Sequence, residues 1–256
     1  MFAGLVACLL GVANPALAYR DCCFARSIPP ELTGITLFGP IDRSVRRLER
    51  AGFRDREDMN HNIAGLGTLV DIGAGGAPRE FGGIPAPLVA PGFTWIELAC
   101  WPSFHFQLGP MGRNPNGARR LETVIAIVDD LDRACAGIEA VKMGSWGVPA
   151  FGPAEDDPAL GARVREAWFG FQALEVIAPT DPDGVAARWL ADGGPRWIGF
   201  AVEVRDVNAT EDWLRDARVP YVRDMRDGPV LRIDPADLDG LLVVFLQKSN
   251  RGGLRF

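Results

Sequence analysis

The order of elements recurs three times along this chain, and that recurrence constrains the fold more than any other feature. Each copy reads as an apolar strand, a helix opened by a capping residue, and further strands ending in one rich in strong β-formers. In the first copy Ile35-Thr36-Leu37-Phe38 reads as a strand, Asp42-Arg43-Ser44 caps a helix through Glu49, and Gly52 ends it. Strands follow at 67–72 and 93–98. The second copy has a strand at 123–128, a helix from Asp130 to about Ala140, and strands near Val148, at 167–171 and at 174–177. The third has a strand at 198–204, a helix opened at Asn208 or Thr210 that ends before Val219-Pro220, and strands at 230–233 and 241–246. A βαβββ outline repeated in this way predicts an α+β protein.

With 256 residues, 48% of them hydrophobic, the chain can bury a full core. Its net charge of -6, with basic residues scattered among acids, excludes a nucleic-acid footprint, which needs clustered positive charge. Small molecules are the expected partners. The five cysteines, including the adjacent Cys22-Cys23, have no metal-ligand spacing, and Cys100 and Cys135 sit in apolar stretches where a thiol behaves as a small hydrophobe. Residues 1–18 combine an apolar run with a closing Ala16-Leu17-Ala18, which fits an export signal. No Lys or Arg precedes Arg20, so an apolar extension or a mis-assigned start fits as well, and a cytoplasmic location is favoured over export. No later stretch is long and apolar enough to span a bilayer, so no membrane-spanning body is expected.

Three stretches carry a family resemblance. Leu121-Glu122-Thr123-Val124-Ile125-Ala126-Ile127-Val128-Asp129-Asp130-Leu131-Asp132 resembles the opening strand and helix start of the vicinal oxygen chelate superfamily, which includes glyoxalase, methylmalonyl-CoA epimerase and bleomycin-resistance proteins. The segment 174–200, with Glu175, Pro179-Thr180-Asp181-Pro182, Gly193-Gly194 and Trp197-Ile198-Gly199-Phe200, is similar to the epimerase segment that leads to its second metal strand. Asp234-Pro235-Ala236-Asp237-Leu238-Asp239-Gly240-Leu241-Leu242 is similar to its closing turn and last strand. The resemblance implies repeated βαβββ modules forming curved mixed sheets with a concave cleft. It divides the chain into residues 1–18, a single glyoxalase-like module at 30–118, and an epimerase-like domain of two modules at 119–249. Paired modules build the cleft, so the first must pair with a neighbour or across a subunit interface, and a homodimer is the expected assembly.

In such proteins His, Glu, His and Glu from four strands hold one divalent metal. Carried over by position, the four ligands fall on Thr123, Glu175, Trp197 and Val244. Glu175 alone can bind a metal, and one carboxylate does not hold a divalent ion against water. The first module offers Glu97 alone at a matching position. Neither a metal nor any other cofactor is therefore expected.

What remains is acid/base chemistry or binding. Glu175 and Glu97 are each strand carboxylates that follow an apolar residue, and His105 lies in the aromatic loop Trp101-Pro102-Ser103-Phe104-His105-Phe106. Desolvation on a cleft wall would tune such groups for proton transfer, whereas pairing with arginine would make them structural. Thr123, Trp197, Trp95, Trp168 and Val244 are the expected substrate-lining residues, although core packing accounts for tryptophans equally well. Two readings stand: a metal-independent isomerase or lyase acting on a small carbonyl, thioester or ring compound, and a metal-free sequestering protein of the bleomycin-resistance type.

Overall fold

The computed structural model of the chain describes residues 31–37, 41–56, 62–63, 67–68, 80–87, 89–94, 114–143, 146–169, 172–225 and 228–247. At the N-terminal end β1 (Glu31–Leu37) leads into α1 (Ile41–Arg50), and β2 (Asp55–Arg56), β3 (Asn62–Ile63) and β4 (Gly67–Thr68) pair as a small sheet. β5 (Glu80–Phe81) and β6 (Ile84–Pro85) form a hairpin, and β7 (Val89–Thr94) returns antiparallel to β1. The parallel pairing of first and last strands that closes a βαβββ module is not found here among the described residues. This segment departs from the expected outline in that respect.

Two complete modules follow. The first comprises β8 (Ala118–Ile127), α2 (Leu131–Glu139), the two-residue strands β9 (Lys142–Met143) and β10 (Trp146–Gly147), then β11 (Glu155–Asp157), β12 (Ala162–Phe169) and β13 (Gln172–Pro179). Helix α3 (Val185–Ala191) crosses to the second, which holds β14 (Arg196–Val204), α4 (Val207–Asp216), β15 (Val222–Met225), β16 (Pro229–Ile233) and β17 (Leu242–Leu246). They share one curled eight-stranded half-barrel sheet, ordered β11-β12-β13-β8-β14-β17-β16-β15. Within each module the last strand runs parallel to the first, β13 beside β8 and β17 beside β14, and the modules join through the antiparallel pair β8 and β14.

The strand-to-helix turns are set by two aspartates. Asp130 is extended and its carboxylate accepts the backbone N–H of Arg133 (3.0 Å); Asp206 is extended and accepts those of Asn208 (2.9 Å) and Ala209 (3.4 Å). Each satisfies otherwise orphaned donors, a contribution of about 1 kcal/mol. The second helix therefore begins earlier than the expected Asn208 or Thr210. Thr210 is instead buried, donating its hydroxyl to the Asn116 carbonyl (2.7 Å).

Alternation along the strands sends side chains to two layers. One layer contains Val124, Ala126, Leu174, Val176, Phe200 and Val202, and α2 and α4 pack on it with Leu131, Cys135, Ile138 and Leu214. The N-terminal segment belongs to the same layer. Phe53 packs on Phe200 (ring centroids 5.9 Å) and Phe245 (6.1 Å), and the buried Asn116 donates to the Ala51 carbonyl (2.8 Å). The other layer is the inner face of the half-barrel, where Ile125, Ile127, Ala162, Ile177, Ala201 and Leu242 meet Ala186 and Trp189 of α3. Buried Arg196 ties α3 to β14 by donating to the carbonyls of Trp189 and Gly194, both at 2.9 Å, and its burial lowers the pKa of its guanidinium.

Candidate functional site

The caps provide a register for comparing the modules. Counting back equally from Asp130 and Asp206, Thr123 corresponds to Gly199 and Ile125 to Ala201. Glu175 lies beside Ile125, and Val244 lies beside Ala201, so Glu175 and Val244 also correspond. The pseudo-twofold set on the central strands is thus Thr123, Glu175, Gly199 and Val244.

Trp197, expected at one of these positions, lies elsewhere. It is fully buried in the helix-bearing layer, its ring edge-on to Phe81 (5.8 Å), and its indole N–H donates to the Phe81 carbonyl (3.2 Å). The cause is a bulge: Trp197 pairs with Ala126 and Gly199 with Ile125, leaving Ile198 as an extra residue, and one extra residue exchanges the faces of a strand. Gly199 has no room for a side chain, because an added Cβ would collide with the Leu242 carbonyl and Cβ.

The other described residues share the inner face. Thr123 is in phase with Ile125, Glu175 with Ile177, Trp168 with Ala162, and Val244 with Leu242, all members or neighbours of the inner layer. The strand registers line them up in two adjacent rows. One row runs Trp168, Ala173, Thr123, Ala201, Val244, Arg232 and Val222 across seven strands. The next runs Glu166, Glu175, Ile125, Gly199 and Leu242. In the first row Ala173, Thr123 and Ala201, all small and buried, stand between Trp168 on one side and Val244 and Arg232 on the other. Glu97, His105 and Trp95 lie outside the described residues.

The two sides differ in kind. Trp168 is 51% exposed, one of few large apolar side chains left in solvent among the described residues. Arg232 is buried and fully engaged. It donates to Asp224 and Asp234, both at 2.6 Å, and its guanidinium lies over the Trp189 ring (5.4 Å). Desolvation makes such a paired arginine an anchor for the strand rather than a free cation. A buried carboxylate not singled out from the sequence, Glu122, has a similar role: it accepts from Arg120 (2.6 Å), which also pairs with Glu203 (2.7 Å). It is the extra residue of a second bulge, equivalent to Ile198, and the signal in the sequence is an acid embedded in an apolar strand.

Thr123, Glu175, Gly199 and Val244 offer one carboxylate and one hydroxyl, which does not fit a divalent ion that needs three or more protein ligands. No group of three or more His, Cys, Asp or Glu among the described residues is arranged to hold a metal.

Two βαβββ modules joined through their first strands, with a shared inner face bearing residues from all four central strands, form a half-barrel consistent with the vicinal oxygen chelate type of fold. No protein-family model and no curated protein matches the chain. Among solved structures it is similar to methylmalonyl-CoA epimerase from Mycobacterium tuberculosis, 23% identical over 53% of this chain and 91% of that one, with a TM-score of 0.45. A variant of the Streptomyces coelicolor epimerase in complex with 2-nitronate-propionyl-CoA is 21% identical over 52% of this chain and 96% of that one, TM-score 0.44. A hypothetical protein from Bacillus halodurans C-125 is 17% identical over 52% and 97%, TM-score 0.43.

Proposed function

We propose that this glyoxalase-like chain is a metal-independent isomerase in which Glu175 takes a proton from the carbon α to a carbonyl. What supports this reading most is Glu175 itself: a carboxylate only 8% exposed, on the inner face, one row from the small side chains of Ala173, Thr123 and Ala201. Its counterpart Val244 carries no donor, so the chemistry is asymmetric across the pseudo-twofold axis. The Glu175 carboxylate accepts the α-proton, the C–H electron pair passes into the enolate, and the same proton or one from Glu97 or His105 returns to carbon. A sequestering protein is the second reading, favoured by the loss of donor groups at Thr123, Gly199 and Val244. Small-molecule substrates suit either. A homodimer and the division into 30–118 and 119–249 remain part of the proposal, and no helix among the described residues is long and apolar enough to cross a membrane.

The test is α-proton exchange in deuterated water, followed by proton NMR over a panel of small ketones and acyl thioesters, with Glu175→Gln alongside. The expected result is exchange by the wild type and a loss of about 10²-fold or more in the variant, the usual scale for a general base. Binding with no exchange by either protein would replace this reading with sequestration.

A further inference from the structure

Asn116 is followed by Gly117, and in an Asn-Gly pair the asparagine side chain cyclises most readily, because no side chain screens the glycine nitrogen. Here the pair is a buried junction. Asn116 is 0% exposed; its side-chain amide donates to the Ala51 carbonyl (2.8 Å) and its Oδ1 accepts the Ala118 N–H (2.9 Å). Thr210 of α4 donates to its backbone carbonyl (2.7 Å). Gly52 lies so close that an added Cβ would stand 2.8 Å from the Asn116 Cβ.

The segment 41–56 restrains the reacting groups. The Ala51 carbonyl holds the nitrogen that would leave. The Arg54 N–H donates to Asn114 Oδ1 (3.0 Å), and the Asn114 carbonyl in turn accepts the N–H of Gly117, the nucleophile (2.9 Å). Burial beneath Gly52 excludes the water that the reaction needs. The contact that favours attack does not depend on this segment: the Ala118 N–H points at Oδ1, where negative charge grows.

We infer that Asn116 is a latent deamidation site, closed while the segment 41–56 is seated and opened when it leaves. On release the Gly117 nitrogen attacks Asn116 Cγ, the new C–N bond replaces the bond to the side-chain nitrogen, and ammonia departs with the proton from Gly117. Water then opens the imide at either carbonyl and leaves aspartate or isoaspartate. Neither product takes the segment back. A carboxylate has no N–H for the Ala51 carbonyl and would be buried against it, and isoaspartate also lengthens the backbone where Gly52 leaves no room. The modification is a one-way record of the segment's departure.

The experiment incubates the full chain in mildly alkaline buffer and follows the Asn116 peptide by mass spectrometry for a gain of one mass unit, with labelling of the buried Cys135 thiol reporting global unfolding. Reaction through a minor open state is slowed by its population, so the native wild type should deamidate about a hundredfold or more slower than the denaturant-unfolded chain. Phe53→Ala, which removes the ring contacts with Phe200 and Phe245, should recover about tenfold or more of that rate while Cys135 stays protected. Should that variant not fold, Arg47→Gln cuts the Arg47–Asp239 pair (3.3 Å) and should give a rise of about twofold to fivefold. Purified deamidated protein should exchange the amides of 41–56 faster than the unmodified chain. A native rate equal to the unfolded one, a rate indifferent to the variant that folds, or one that rises only in step with Cys135 labelling would overturn the inference, as would unchanged exchange over 41–56 after deamidation.

Discussion

Glu175 and Val244 occupy equivalent points of the two modules, Glu175 beside Ile125 and Val244 beside Ala201 on strands that lead to matching aspartate caps. The shared sheet therefore keeps a symmetric frame while its chemistry has become one-sided. If donor chemistry alone accounts for the lack of fit to a metal, restoring donors should restore it. Wild-type protein purified from metal-supplemented medium should contain well under one divalent ion per chain. Thr123→His combined with Val244→Glu adds two donors to Glu175 and should retain zinc near one per chain by elemental analysis. A wild type already holding a stoichiometric ion would show that donors outside the described residues complete a site.

Gly199 is where β14 and β17, the first and last strands of the second module, approach each other most tightly among the described glycines. A Cβ there would meet the Leu242 carbonyl, so the strand pair β14 and β17 cannot accept even alanine without separating. Gly199→Ala is expected to cost about 3 kcal/mol, read as a lower urea midpoint with unchanged slope. A change within about 0.5 kcal/mol would mean that the bulge at Ile198 absorbs the methyl group.

Much of this fold was legible as pattern. The run Thr123-Val124-Ile125-Ala126-Ile127-Val128 alternates between layers, Asp130 is the obvious cap, and the strand at 242–246 lies where its strong β-formers put it. Three competing caps, Asp206, Asn208 and Thr210, hid the start of α4, and only the buried bond from Thr210 to Asn116 shows why Asp206 prevails. Trp197 was misread for a different reason. A bulge leaves no mark in composition, yet a single inserted residue moved the matched position to Gly199 and sent the indole to the opposite layer. At the N-terminal end, local propensity located β1 and α1 but gave no sign that β7 would run antiparallel to β1.

Phe53 attaches the N-terminal segment to the central sheet. Its ring meets Phe200 edge-on and stacks on Phe245, strands from the second module. Phe53→Ala should cost about 3 to 5 kcal/mol. Hydrogen exchange distinguishes the manner of the loss: faster exchange confined to 31–94 would mark that segment as a separate unfolding unit, and uniform acceleration would mark one cooperative body.

Cys135 gives a prediction with a definite pH window. Its thiol is buried on α2, and burial raises its pKa from an ordinary 9.0 to about 11, with Arg165 opposing and Glu139 and Asp132 adding to the rise. At pH 8 about one thiol in a thousand is ionised, so a disulfide reagent should modify Cys135 in the native protein at a rate set by unfolding alone. The unfolded chain releases this proton near pH 9 and the folded chain near pH 11. The resulting stability is therefore complete below pH 9 and lost as the pH rises through 11, a change of roughly 2 to 3 kcal/mol. Cys135→Ala removes this titration, so between pH 9 and 11 its urea midpoint should fall less steeply than that of the wild type. Parallel slopes in the two proteins would mean that the thiol ionises as readily folded as unfolded, and that α2 is less tightly packed on the sheet than its buried Cys135 and Ile138 indicate.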